Sequence, residues 1–236
     1  MSEFRYYRPN AFPPIVKNII IINVLVYVAQ IVFAQEFGLT DLLALHPIDL
    51  PQFKPYQVVT HMFTHAPPPF FFHIIFNMFV LWMFGRVLEN VWGGKRFLIF
   101  YLVSGLGAAA CHLFIQHLQF DHLVQQFEQA VAMNDATTAR EVAAKINTSA
   151  VGASGAIMGV MAAFAFLFPN TELYIMFIPI PVKAKWAILG FVALDLFGGV
   201  SNVQGDNIAH FAHLGGAITG FILVFIWNKT NRKTFY

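Results

Sequence analysis

Residues 70–91 read FFFHIIFNMFVLWMFGRVLENV, an apolar run interrupted by His73 and Asn77 that turns polar only at Arg86, Glu89 and Asn90. A helix needs about 20 such residues to cross the hydrocarbon core of a bilayer. Five further stretches qualify: Ile15–Ala34 (IVKNIIIINVLVYVAQIVFA), Phe97 to about Ile115, Ala150–Phe168, Trp186–Val200 and Asn207–Trp227. The fifth of the six is short, so it starts nearer Lys183 or lies in a locally thinned bilayer. The first resembles a signal peptide but is too long and has no small-residue cleavage site, so it reads as a retained span.

Composition agrees. Of 236 residues, 58% are hydrophobic and 11% charged, against about a quarter charged in soluble domains. Disorder is excluded by the same figures, and a net charge of +2 is too small to suggest a nucleic-acid partner, so none is expected. Cys111 stands alone, which excludes an intramolecular disulfide and a multi-cysteine metal site. The fold class expected is an all-α membrane protein with six transmembrane helices.

Basic residues gather in cytoplasmic loops. Arg5, Arg8, Lys17, Arg86, Lys95, Arg96, Lys183, Lys185, Lys229, Arg232 and Lys233, eleven of the 14 Lys and Arg, fall on one side of the six-span arrangement. Both termini are therefore expected to be cytoplasmic: a short N-terminus at 1–14, a six-span domain at 15–228 and a tail at 229–236. Two outward loops are long. Residues 36–69 carry Pro47, Pro51, Pro55 and Pro67-Pro68-Pro69 and read as a folded or interfacial loop. Residues 116–149 place Leu123, Phe127 and Ala130 or Val131 on one face, the pattern of an amphipathic surface helix.

Polar groups inside spans are costly, so their positions point to function. They fall at His73 and Asn77 in span two, at Gly152-Ala153-Ser154-Gly155 in span four, and at Asp206, Asn207, His210 and His213 in span six. All lie toward the outer helix ends, where they can share one water-facing cavity. His73 and Asn77, four apart, share a helix face; they can donate to one oxyanion or simply bond between helices. Ser154 can bond back to its own helix or act as a nucleophile beside a neutral histidine. Gly155 and Gly159, and Gly216 and Gly220, form two small-xxx-small faces that would bring spans four and six together. That packing puts His213 near the Ser154 hydroxyl, with His210 as the competing base. Asp195 reads as a hydrogen-bond partner within the bundle and Asp206 as a cap for span six.

With these residues in view the chain resembles the rhomboids, the intramembrane serine proteases. The resemblance covers about residues 56–228 and rests on HMFTHAPPPFFFHIIFNMFVLWMFG (His61–Gly85), GASGAIMG (Gly152–Gly159) and DNIAHFAHLGGAITG (Asp206–Gly220). It implies Ser154 as nucleophile and His213 as general base and acid. It implies an oxyanion hole made by His73, Asn77 and the Ser154 backbone N–H. Gly152, Gly155, Gly159, Gly216 and Gly220 provide the supporting packing. The family works with a dyad, which suits a sequence with no carboxylate evidently placed to orient His213. Met158 stands where many members have an aromatic residue that stacks on the base. The Trp-Arg pair common in the first outward loop is missing; Lys54-Pro55-Tyr56-Gln57 occupies that area.

The activity so implied is endopeptidase cleavage of a partner's transmembrane segment near its outer end, through an acyl-enzyme. Substrate would enter from the bilayer between spans two and five, with Phe191, Phe197 and Gly198-Gly199 on the mobile side. The partners are then transmembrane protein substrates and the bilayer itself. Neither cofactor nor metal is expected: His61 and His65 have zinc-protease spacing, but Met62 replaces the glutamate of H-E-x-x-H. The two facing aspartates of an aspartyl protease are missing too. The alternative is a rhomboid-like pseudoprotease that binds membrane clients without cutting them. A bare six-span core without a long cytosolic domain suggests a bacterial cytoplasmic membrane.

Overall fold

The computed structural model describes residues 9–174, 180–201 and 210–230, and these are mostly helical. The longer helices are α1 (Pro14–Val32), α2 (Phe71–Trp92, with a π-helical turn at Leu81–Gly85), α3 (Gly94–Ala132), α4 (Ala136–Ile146), α5 (Ser154–Leu167), α6 (Ala184–Ser201) and α7 (His210–Thr230). Among the described residues, α1, α2, α3 and α7 are long and apolar enough to cross a membrane. Helix α5 is equally apolar but has only 14 residues. Helix α6 begins directly after Lys183. Of the residues used above, Arg5, Arg8, Asp206, Asn207, Arg232 and Lys233 lie outside the described residues.

Helix α1 starts with Pro14 at its first position, where the missing N–H is no loss. The next two amides have no partner within the helix. The Glu89 carboxylate, 3% exposed at the end of α2, takes both: Ile15 N–H donates to Oε1 at 2.9 Å and Val16 N–H to Oε2 at 2.7 Å. A negative group at a helix N-terminus is also favoured by the helix dipole. One residue thus fastens two spans at the same depth. Gly93, at φ +80°, turns the chain sharply from α2 into α3.

Helix α3 departs from expectation. Its 39 residues run through Ala132 without a break, where a span ending near Ile115 and a separate surface helix were expected. The reason is local: no Gly or Pro follows Gly107 until after the turn at Asn134, whose φ of +55° ends the helix. At 1.5 Å per residue α3 is about 58 Å long, nearly twice the hydrocarbon core. Its buried positions, among them Phe97, Tyr101, Ser104, Ala108 and His112, recur at helical spacing and stop at His112 apart from Ala130. The remainder is a helical hairpin with α4, which starts where Asp135 accepts the Thr138 N–H at 3.1 Å.

The loop between α1 and α2 is folded around two glutamines. Gln57, 1% exposed, accepts from Lys54 N–H at 3.0 Å and donates to the Gln52 and Leu42 carbonyls. Gln30 of α1 pairs with the His65 backbone in both directions, donating to its carbonyl at 2.8 Å and accepting its N–H at 3.0 Å. These bonds anchor the loop without the Trp-Arg pair. The apolar core fills the opposite end, where Trp92, Phe100 and Trp227 pack ring on ring. Leu25, Phe72, Leu194 and Phe197 face outward, the arrangement a bilayer requires and water penalises.

Candidate active site

The site begins with backbone placement. Leu45 of the first loop and Ala150 exchange two hydrogen bonds of 2.9 Å, and Gly152 N–H donates to the His61 carbonyl at 2.9 Å. These hold the strand that enters α5. Gly152 has φ +128°, a conformation that L-residues rarely adopt. A Cβ there would stand 3.1 Å from His73 Nε2, so the missing side chain is what lets the imidazole approach; Ser154 Oγ, at 3.5 Å, would be in ordinary contact. The first bond of α5 runs from Ile157 N–H to the Ala153 carbonyl. The amides of Ser154, Gly155 and Ala156 therefore sit at the positive end of the helix, outside its internal bonding.

Helices α3, α5 and α7 meet backbone to backbone. A Cβ on Gly216 would overlap the Gly155 carbonyl, and one on Gly220 would lie 2.5 Å from Gly159 Cα. Helix α3 closes the triangle: Gly155 faces Ala108, Gly159 faces Ser104, and Gly107 admits the Thr219 side chain. The part played by α3 was not foreseen, although the small residues of Gly105-Leu106-Gly107-Ala108-Ala109 advertise it.

Through this packing His213 reaches Ser154. Its Nε2 lies 2.7 Å from Ser154 Oγ, and its Nδ1 lies 3.0 Å from Asp195 Oδ1 on α6. His210 lies against Gly198 of α6, with Nδ1 2.9 Å from the same Asp195 oxygen. A carboxylate only accepts, so each histidine donates its Nδ1–H, and His213 Nε2 is left to accept the serine hydroxyl hydrogen. The sequence marked no carboxylate beside this histidine; the fold brings Asp195 within hydrogen-bonding distance of it. Asp195 was legible as a charged group in an apolar span, but its direction was not.

His73 is fixed in a tautomer. Ala66 N–H donates to its Nδ1 at 3.1 Å, so the proton sits on Nε2, the atom that faces Gly152. Asn77 donates from Nδ2 to the His73 carbonyl at 2.8 Å, and its Oδ1 is buried with no partner among the described residues. His65 packs edge-on against His73, centroids 5.3 Å apart. Burial, helped by the neighbouring His73, pushes the His65 imidazole down to about 4; burial also lowers that of His61. Met158 is buried in the core. Among the described residues no cluster of His, Cys, Asp or Glu is arranged to hold a metal ion.

Chemically the arrangement offers a hydroxyl hydrogen-bonded to an imidazole, with N–H donors from a helix end and a second histidine close by. Residues 52–230 match the family described as Rhomboid domain. RHOMBOID-like protein 12, mitochondrial, of Arabidopsis thaliana is 30% identical over 94% of this chain and 60% of its own. Rhomboid protein 1, mitochondrial, of Saccharomyces cerevisiae is 26% identical over 75% of this chain and 43% of its own. The human presenilin-associated rhomboid-like protein, mitochondrial, is 31% identical over 67% of this chain and 34% of its own. The chain thus spans between a third and three fifths of the length of these relatives. Their names overturn the expected bacterial cytoplasmic membrane, since all three are mitochondrial proteins. A bare span count carries no address, because bilayers of similar thickness demand similar helices. A multi-pass membrane protein is what remains of that expectation.

Proposed function

The chain belongs to the rhomboid family, and on that premise we propose that it is an intramembrane serine endopeptidase. The observation that carries the reading is the 2.7 Å hydrogen bond between Ser154 Oγ and His213 Nε2. In the proposed reaction His213 Nε2 takes the Ser154 proton as Oγ attacks a peptide carbonyl carbon, and the carbonyl electrons move onto its oxygen. His73 Nε2–H, the Ser154 backbone N–H and the second amide hydrogen of Asn77 are the proposed donors to that oxyanion. Collapse of the intermediate expels the amine with the proton from His213, leaving an acyl-Ser154. A water then gives its proton to His213 as its oxygen attacks the acyl carbon, and collapse breaks the bond to Ser154 Oγ, which takes that proton back from His213 while the acid product leaves.

The proposed arrangement is six spans, α1, α2, α3, α5, α6 and α7, with both termini on the side where basic residues gather. Helix α5 supports a sunken site. At 14 residues it is about 21 Å long, short of the roughly 30 Å core, so its N-terminal serine lies below the surface if its far end reaches the other face. The substrates proposed are transmembrane segments, entering from the bilayer beside α6.

The test is cleavage of a model transmembrane substrate in proteoliposomes, with labelling by a serine-reactive probe. Ser154→Ala and His213→Ala should each abolish cleavage, and Ser154→Ala should abolish labelling. Asn77→Ala should cost less, about tenfold to a hundredfold, because other donors remain. Full activity in Ser154→Ala removes the assignment. Client binding without cleavage or labelling by the unaltered chain would mark a pseudoprotease instead.

A further inference from the structure

Asp195 is the only acidic residue of α6, whose neighbouring Leu194, Leu196 and Phe197 face outward. A carboxylate at such a position is costly unless strongly partnered. Two donors meet it from α7, His210 Nδ1 at 2.9 Å and His213 Nδ1 at 3.0 Å, both on Oδ1. The two histidines are three residues apart and so share a helix face. Gly198, one turn beyond Asp195, admits the His210 ring: a Cβ there would stand 2.6 Å from its Nε2. The three side chains are only 12 to 18% exposed.

We propose that Asp195 is a positioning residue that extends the Ser154–His213 pair into a four-membered relay, His210–Asp195–His213–Ser154. The proposal rests on the protease reading above. A neutral imidazole can carry its proton on either nitrogen, and only the Nδ1–H form leaves Nε2 free to accept from Ser154. Asp195 selects that form, because its oxygen accepts Nδ1–H and cannot donate. When His213 takes the serine proton, the resulting imidazolium faces an anion at 3.0 Å, which stabilises it without any transfer of the Nδ1 proton. His210 acts one step further out. Its N–H holds the carboxylate oxygen in line and stabilises it by a hydrogen bond.

The relay also joins three helices. The nucleophile and base come from α5 and α7, and the carboxylate comes from α6, so the base is fully oriented only when α6 is docked. Around His213 the titratable neighbours are Asp195 on α6, His210 on α7, His73 on α2 and His112 on α3.

The experiment compares the unaltered chain with Asp195→Asn in proteoliposomes, reading kcat, KM, the pH profile of kcat and thermal stability. Asp195→Asn should fold, keep KM within about threefold and lose about 10²- to 10⁴-fold in kcat. The acid limb of its profile should move to lower pH, since the imidazolium has lost its anion. A kcat within about threefold of the unaltered chain, with the acid limb unmoved, overturns the relay while leaving the protease reading intact. An unaltered chain that neither cleaves nor labels overturns both. If the Asn variant does not fold, His210→Gln decides: the relay requires a kcat loss of about tenfold at unchanged KM, and no loss overturns it.

Discussion

Helices α5 and α7 and helix α6 hold their places in opposite ways. Between α5 and α7 the backbones touch, at Gly155 against Gly216 and at Gly159 against Gly220, with α3 sealing the third side. Helix α6 buries Ala187 and Ile188, but around its Gly190 there is nothing within 4 Å, and Leu194 and Phe197 face outward. A polar link joins it to α7 at the Asp195 oxygen, which two histidines share. Ser154 and His213 therefore sit on a part of the molecule where position is set by van der Waals contact between backbones, which resists displacement. Asp195 arrives from a helix that can be altered without disturbing that contact. Fold and chemistry should respond to different substitutions.

The same substitution on the two sides gives the sharpest test. Gly216→Ala places a methyl group into the Gly155 carbonyl and should cost about 3 kcal/mol by overpacking, read as a fall in unfolding temperature in detergent together with lost activity. A variant as stable as the parent would break the comparison. Next in size is Glu89→Ala, which leaves the Ile15 and Val16 amides without their carboxylate. A loss of about 2 kcal/mol is expected, with α1 the first element to exchange its amide hydrogens.

A third test is acid lability of the loop that supports α5. The folded-state value of His65 lies near 4, below its ordinary 6.5. Above pH 6.5 both folded and unfolded chains hold it neutral, and stability is unaffected. Between 6.5 and 4 only the unfolded chain binds the proton, so stability should fall as pH is lowered, by up to about 1.4 kcal/mol per unit. Unfolding of His65→Gln followed over the same range should lose that dependence. The smallest effect belongs to Gly190→Ala on α6. With open space around it, this change should be neutral or stabilising by up to about 1 kcal/mol through helix propensity. A loss as large as that of Gly216→Ala would show that α6 is packed as tightly as α7.

Much of the site was legible because a bilayer makes polar residues conspicuous. His73, Asn77, Ser154 and His213 stood out against apolar runs, and glycines four apart marked two faces able to meet. The length of α3 was legible in principle, in the missing Gly or Pro after Gly107, but the apolar count drew attention to Ile115 instead. The loop anchors Gln30 and Gln57 gave no signal. Apart from the Gln30 bond to the Thr40 hydroxyl, their bonds go to backbone groups, which every residue carries, and only the folded path decides which ones come near.

Which residues can enter a membrane is a local property: transfer of each side chain from water depends mainly on its own chemistry, so the order of residues alone determined a mostly helical membrane protein with a small polar minority. Which polar groups face one another depends on how far each helix is rotated about its axis. That rotation is set by contacts between segments distant in the chain, here the Gly155–Gly216 and Gly159–Gly220 approaches. Only the tertiary structure could bring His213 to Ser154 and place Asp195 within reach of both His210 and His213.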